Sequence, residues 1–437
     1  MTPAASSLGA ERAPRFRNLP ARHVLENVGY LLFTLFIFFT CFTFLRPSPY
    51  DFAATPAMLV WVVLGIRLHR SAVIFVALLL LYKISLVAAL VPYFAEVDPT
   101  LWTMQSLYLM VTAIFFVMFF GHQTSRRVEL AMRAYLASCI VASVAGILSY
   151  FMDTGLLFVM DGRAAGVFED PNVLGSFLIM GVLYLMRGLM TGTMRRKSLA
   201  VLCLLLLLTA VFLSFSRGSW AATLVGILLM TWMTLRSSSH AIRRRIIAFS
   251  VVGFAAAATL VCGLLSVGDV SERFTNRAQV SQDYDEGETG RFGNQRRSIP
   301  MLLERPEGFG PLRFRLIFGL EPHNSYIGGF ANGGWIGGLA FIGLVLVTTF
   351  VGFRLCLTPS PFRAHAQVVF PSLLMFFLQA LQIDIDHWRH VYIMLGMVWG
   401  LEAGRARWAS GVPSVAGPAA MPRHQGPFLG PNAPQPA

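Results

Sequence analysis

The sequence predicts an all-α, polytopic integral membrane protein of about twelve transmembrane helices with one long periplasmic loop. Three observations carry that prediction. Mean hydropathy is +0.62. Of 437 residues, 55% are hydrophobic and 13% charged, where a soluble chain carries roughly 25% charged. Apolar runs close to the ~20 residues that cross a bilayer recur along most of the chain.

The elements follow in order. Residues 1–26 are polar and basic and read as a cytoplasmic N-terminus. The apolar run after Arg12, Arg15, Arg17 and Arg22 has no small-residue cleavage site, so it is expected to stay as the first helix. The apolar spans are then Asn27–Leu45, Ala54–Ile66, Ser71–Val91, Leu101–Phe120, Val128–Phe151, Val173–Met186, Ala200–Phe215, Gly218–Leu235, Ile246–Leu265, Tyr326–Val351, Gln367–Ile383 and Val391–Gly404. Residues 27–404 thus form a transmembrane helical domain, interrupted by the polar loop 266–325. Residues 405–437, rich in Pro, Gly and Ala, read as a disordered cytoplasmic tail.

Charge sets the orientation. One set of loops holds clusters such as Arg67/Arg70, Arg126/Arg127/Arg133, Arg195/Arg196/Lys197 and Arg243/Arg244/Arg245. The opposite short loops hold only Arg46, Arg163, Arg217 and Arg389. By the positive-inside rule both termini are cytoplasmic and the long loop is outside, since long loops translocate largely regardless of charge.

The net charge of +13 is accounted for by those loops, and no basic-aromatic module points to nucleic acid. The five cysteines, Cys41, Cys139, Cys203, Cys262 and Cys356, lie in or at the ends of apolar spans and suggest neither disulfides nor a CxxC metal site. Asp283-Tyr284-Asp285-Glu286-Gly287 lacks the ligand pattern of an EF-hand and reads as a solvated acidic turn. Asp384, Asp386, His387 and His390 form a further polar cluster, but Arg389 among them would repel a cation, so no metal is expected. Lys83 lies within the third span, and the sequence supplies it no partner.

The candidate site residues lie toward the outer face. Arg163 sits in Asp161-Gly162-Arg163-Ala164-Ala165-Gly166, shortly before Asp170-Pro171-Asn172. Arg217 sits in the turn Ser214-Phe215-Ser216-Arg217-Gly218, and Arg291 follows Gly290 in the long loop. His323 lies in Glu321-Pro322-His323-Asn324-Ser325-Tyr326, ahead of a glycine run, and Arg389 at an outer helix end. Arginine stays charged and forks two hydrogen bonds onto phosphate oxygens. Helix starts at Asn172 and Gly218 add free N–H groups that favour an anion. Against this, one arginine at a helix end most often snorkels to headgroups, and a helix-start histidine can simply cap. The group is more telling than any member. The glycines after His323 read as close helix packing rather than a nucleotide loop.

Arg163-x-x-Gly166, Pro171-Asn172, Ser214-x-Ser216-Arg217-Gly218, Gly290-Arg291, Arg305-Pro306 with Gly308 and Gly310, and Pro322-His323-Asn324-Ser325 follow one another in that order. Together they resemble the O-antigen ligase and O-antigen polymerase family from about residue 160 to 390. The first five helices match only in being apolar. The resemblance implies a bacterial inner-membrane glycosyltransferase with a periplasmic site and no cofactor. It would move a glycan from undecaprenyl diphosphate to a lipid A core or to another glycan, making lipopolysaccharide or an exopolysaccharide. It also implies His323 as the catalytic histidine and Arg163, Arg217 and Arg291 as diphosphate contacts.

The chemistry of these residues agrees with that implication. Breaking the anomeric C–O bond leaves a diphosphate, which fixed cations stabilise. The acceptor hydroxyl needs a base, and imidazole titrates near working pH. Asp170 and Glu321 are rival bases, while Asn172 and Asn324 would hold sugar hydroxyls or orient the histidine. Expected partners are the lipid-linked glycan, its acceptor and membrane lipids, with a flippase and a chain-length regulator nearby in a polymerase system. A secondary transporter or lipid flippase is the rival class. Transporters, however, place their ionisable residues at the midplane between repeats, and no duplicated half is visible in the chain.

Overall fold

A computed structural model describes residues 20–43, 47–152, 155, 157–278 and 287–411. The chain runs through α1 (Pro20–Phe38), α2 (Pro49–Val63), α3 (Val73–Leu90), α4 (Val97–Gly121) and α5 (Thr124–Phe151). An antiparallel hairpin follows, β1 (Phe158–Met160) and β2 (Arg163–Gly166). Next come α6 (Pro171–Phe177), α7 (Ile179–Thr191), α8 (Lys197–Leu213), α9 (Arg217–Ser237) and α10 (His240–Leu265). The connection to the next long helix carries α11 (Gly268–Ala278), α12 (Arg291–Leu303) and α13 (Phe314–Phe318). The fold ends with α14 (Ser325–Leu357), α15 (Arg363–Gln379) and α16 (Arg389–Ala409).

Each predicted span coincides with a helix, α6 and α7 together covering the sixth. Among the described residues, eight helical segments are long and apolar enough to cross a membrane. The other predicted spans are shorter or more polar: α2 has 15 residues, α8 and α15 have 17 each, and α16 carries Glu402, Arg405 and Arg407 along its 21 residues. An apolar solvent leaves backbone N–H and C=O groups no partner but one another, which is why these segments close into helices.

Helix starts follow their sequences. Ser48 and Asp51 form a capping box ahead of α2, with Pro49 in the first turn. The Asp170 side chain caps α6 and that of Ser216 caps α9. Asn324 caps α14 by accepting from the N–H groups of Tyr326 and Ile327.

Small residues let the helices approach one another. Gly333 and Gly337 of α14 lie against the Ser85 hydroxyl of α3, and Gly396 and Gly400 of α16 lie against Phe116 and Phe120 of α4. Phe33 of α1 stacks on Phe119 of α4 with centroids 3.9 Å apart. Most of the glycine run after His323 is therefore packing, as its composition suggests. Gly334 is the exception: at φ +64° and ψ −164° it breaks α14 into two pieces. The Pro306 carbonyl accepts from the Trp335 N–H at that break, and the Ala331 carbonyl accepts from Phe309 and Gly310. The Arg305-Pro306-x-Gly308-x-Gly310 motif is thus a clamp on the broken helix.

The stretch 266–325, expected as a polar loop, is partly helical with a small core of Leu302, Phe309, Phe314 and Ala331. Its outward charges pair with the α4 start: Arg313 binds Glu96, and Arg315 lies 3.5 Å from Asp98. The acidic turn at Asp283 and Asp285, Arg46, most of the basic N-terminus and the tail beyond 411 lie outside the described residues.

Candidate active site

The four residues assigned to chemistry from sequence border one cavity. It holds about 530 Å³ and is lined by Arg163, Arg217, Arg291 and His323, with Asp170, Asn172, Phe215, Gln379 and Gln382 among its other walls. Five separate parts of the chain meet there.

The β1–β2 hairpin delivers Arg163, which is 8% exposed. Its Nε donates to the Ser214 carbonyl at 3.0 Å and its Nη2 to Asn172 Oδ1 at 2.9 Å. Asn172 therefore orients an arginine. Asp170 Oδ1 accepts from the Asn172 N–H at 2.7 Å, so this carboxylate is occupied as the cap of α6. Arg217 is the first residue of α9, set there by the turn through Ser214, Phe215 and Ser216. The backbone of Gly218 lies under the Gln382 amide, where a Cβ would come within 2.4 Å of Nε2.

Arg291 opens α12, and its Nη1 donates to the Gln382 carbonyl at 3.3 Å. His323 is held from both sides. Gln295 Nε2 donates to the Pro322 carbonyl at 2.8 Å, and Asn324 Nδ2 donates to the Leu381 carbonyl at 3.0 Å. The imidazole itself is exposed to the cavity.

Three non-glycine residues in the cavity wall have left-handed backbone: Asp161 at φ +52°, Phe215 at +45° and His323 at +44°. Such conformations cost on the order of 1–3 kcal/mol each and persist only where surrounding structure enforces them. Here they turn the Arg163, Arg217 and His323 segments toward common space.

Residues 202–342 match the family model described as O-antigen ligase. The match supports the O-antigen ligase and polymerase family. It spans about a third of the chain, from within α8 to within α14, and includes Arg217, Arg291 and His323. No curated protein matches the chain. Together with the long apolar helices, this match supports a multi-pass membrane enzyme similar to O-antigen ligases.

The other residues singled out in the sequence sit elsewhere. Arg389 does not border the cavity. It donates to the Phe42 carbonyl at 3.1 Å, pairs with the Asp51 carboxylate at 3.3 Å and stacks on Tyr50, which fastens α16 to α2. Glu321 faces Arg315 at 3.7 Å outside the cavity wall; burial lifts its carboxyl above the usual range against the pull of that arginine. Asn324 acts as a cap and a tether to Leu381. In the 384–390 cluster, the Ser325 hydroxyl lies 3.3 Å from Asp384, His387 Nε2 lies 3.0 Å from the Trp102 carbonyl, and His390 is enclosed by the Phe177, Phe376 and Trp388 rings.

Lys83 finds its partner 303 residues away. Its Nζ donates to Asp386 Oδ1 at 2.6 Å, to Ser106 Oγ at 2.6 Å and to the Tyr392 hydroxyl at 2.9 Å. Asp386 also accepts from Tyr82 and Ser106. Burial alone would raise the Asp386 carboxyl, but the Lys83 ammonium holds it below the ordinary range. This network anchors the 380–388 connection, which in turn holds Gln382 in the cavity wall and receives Asn324.

Gln379 was not legible as a site residue. It is 5% exposed and lines the cavity. One end of its amide meets the Ser176 hydroxyl, while Nε2 is buried with no hydrogen-bond partner among the described residues. In sequence it is one polar residue at the end of an apolar span, with no motif around it.

Proposed function

We propose that the protein transfers a glycan from undecaprenyl diphosphate to an acceptor hydroxyl at the periplasmic face of the inner membrane, as an O-antigen ligase or as an O-antigen or exopolysaccharide polymerase. The observation that carries this reading is one open cavity bordered by three arginines and an exposed histidine. The charge asymmetry of the loops supports a periplasmic cavity with both termini in the cytoplasm.

The step is an inverting displacement. The acceptor oxygen attacks the anomeric carbon and its proton passes to His323. The anomeric C–O bond to the diphosphate breaks, and the electron pair leaves with undecaprenyl diphosphate. Arg163, Arg217 and Arg291 stabilise the charge that develops there. Arg163 is preorganised, since the Ser214 carbonyl and Asn172 fix its fork. Gln379 offers an amide donor to the sugar.

The test is complementation of a deletion strain by wild type, His323→Ala and Arg217→Ala at matched membrane expression, with surface polysaccharide resolved on gels. His323→Ala is expected to lower transfer about 100- to 10,000-fold, the range of a general base. Polymer made but not attached to lipid A core would mark a ligase, and single repeat units a polymerase. Full rescue by both variants would remove the catalytic assignment and favour a transporter.

A further inference from the structure

A second cavity of about 620 Å³ lies at the opposite end of the bundle, the end that loop charge assigns to the cytoplasm. The two cavities share helices. The first takes Asn172 from the start of the α6–α7 segment and Gln379 from the end of α15; the second takes Arg187 and His365 from the opposite ends of the same elements. At 1.5 Å per residue, Asn172 and Arg187 are roughly 20 Å apart along the helix.

The second cavity has its own charge arrangement. Glu129 is its one carboxylate, and it is already engaged: Tyr184 Oη and Arg133 Nε each donate to Oε1 at 2.8 Å, and His365 Nε2 lies 3.5 Å from Oε2. Arg187 and Arg195 remain in the wall. Arg187 spends Nη2 on Gln367 Oε1 at 3.2 Å, while its Nε is buried with no partner among the described residues. A buried, unsatisfied guanidinium donor is costly unless something accepts from it. Arg195 stands exposed in the wall. A third guanidinium, that of Arg245, is pressed against Gly192 in the α7–α8 turn, where a Cβ would come within 2.0 Å of Nη1.

We propose that this cavity binds a phosphate group, either the headgroup of an anionic phospholipid or a soluble phosphate ester. A guanidinium fork is the donor geometry that phosphate oxygens match. Arg187 would supply the inner donor and Arg195 the outer one. The ligand would tie α7 to the turn that leads into α8, and so brace from below the α6–α7 segment that carries Asn172 at its other end.

The experiment uses the purified full chain in lipid nanodiscs, with thermal unfolding followed by intrinsic fluorescence. Three conditions are compared: phosphatidylcholine alone, phosphatidylcholine with phosphatidylglycerol, and phosphatidylcholine with added inorganic phosphate. Wild type is expected to gain several degrees in one of the last two conditions, because a ligand of the folded state raises Tm by mass action. A gain with phosphatidylglycerol identifies a lipid headgroup, and a gain with inorganic phosphate a soluble source. Arg187→Gln and Arg195→Gln should lose at least half of that gain, whereas Arg217→Gln, in the other cavity, should keep it. If Arg187→Gln does not accumulate, the exposed Arg195→Gln decides alone. No gain in either condition, or a full gain in the Arg187 and Arg195 variants, overturns the proposal.

Discussion

Two charged regions lie near each other at the end of the bundle that carries the candidate active site, and they spend their charge in opposite ways. The Lys83–Asp386 network is closed. Ammonium, carboxylate, Ser106, Tyr82 and Tyr392 satisfy one another away from solvent. The cavity walls are open: Arg163, Arg217, Arg291 and His323 border space rather than a packed core, and left-handed residues turn the Arg163, Arg217 and His323 segments toward it. A charge pair enclosed in the fold braces it, while polar side chains that border a hollow are the ones the proposed transfer would use. Arg389, which looks like Arg217 in sequence, belongs with the first kind: it braces α16 on Asp51 and does not border the cavity.

The largest effect should come from opening the closed region. Lys83→Met leaves the Asp386 carboxylate buried without its cation, and removing one partner of a buried pair costs about 3–5 kcal/mol. Thermal unfolding of Lys83→Met against the double variant Lys83→Met/Asp386→Leu measures it; the double variant should recover most of the loss. The pH trend is a sharper check. In the wild type, Lys83 holds the Asp386 carboxyl low, so its contribution is present above the unfolded value and is lost as pH falls through the depressed folded value. Without Lys83, burial raises that carboxyl instead, so the variant should gain stability as pH falls toward the ordinary carboxylate range. A variant that weakens on acidification like wild type would break the comparison.

Arg217→Ala should do the reverse. Loss of one preorganised donor at developing charge costs about 100- to 1,000-fold in rate, while Tm should move little. Arg389→Ala should show the opposite pattern, with lower Tm and a smaller loss of transfer. Swapped outcomes for these two arginines would remove the distinction between bordering a cavity and bracing a helix.

A smaller effect is expected from Gly334→Ala. The position has φ +64°, and a Cβ would lie 2.2 Å from the Pro306 carbonyl oxygen. The forced left-handed conformation alone costs on the order of 1–3 kcal/mol. The result is a lowered Tm together with reduced transfer, because the break sets how the first part of α14, and His323 just before it, meets α15.

How much of this was legible in sequence follows from range. Each helix is a local pattern of apolar residues, so every predicted span coincides with a helix, and among the described residues eight of these segments are long and apolar enough to cross a membrane. Arg163, Arg217, Arg291 and His323 stood out because each breaks an apolar or acidic surrounding in a turn. That they share a cavity could be read only through the family resemblance, since the contacts join residues far apart in the chain. The Lys83–Asp386 pair was illegible for the same reason: either residue alone is only an oddity, and nothing local specifies a partner 303 positions away. The helices inside 266–325 were missed because their small core borrows Ala331 from the neighbouring span, so the stretch looks too polar to fold. The break at Gly334 was hidden among glycines that do only pack.

Gln379 gives the finest test, because its two possible roles predict different signs. Its amide is 5% exposed, one end meets Ser176, and the buried nitrogen has no partner among the described residues. If the side chain serves only packing, Gln379→Leu replaces a half-satisfied amide by an apolar group of similar size, and the Ser176 hydroxyl keeps the Asn172 carbonyl as its acceptor. Such a change is nearly neutral or stabilising, and transfer would be unchanged. If the nitrogen donates to the donor sugar, the same variant keeps or raises Tm yet loses about 10-fold in kcat/KM, the worth of one neutral hydrogen bond. Gln379→Glu separates the roles further. It retains the shape but removes the donor and adds a negative charge among the cavity's own cations, so it should bind the anionic donor less well than Gln379→Leu. Equal transfer by wild type, Leu and Glu variants would make Gln379 a wall residue. A graded loss, largest for Glu and with Tm preserved in Gln379→Leu, would extend the open region by one neutral donor that points at the glycan rather than at the diphosphate.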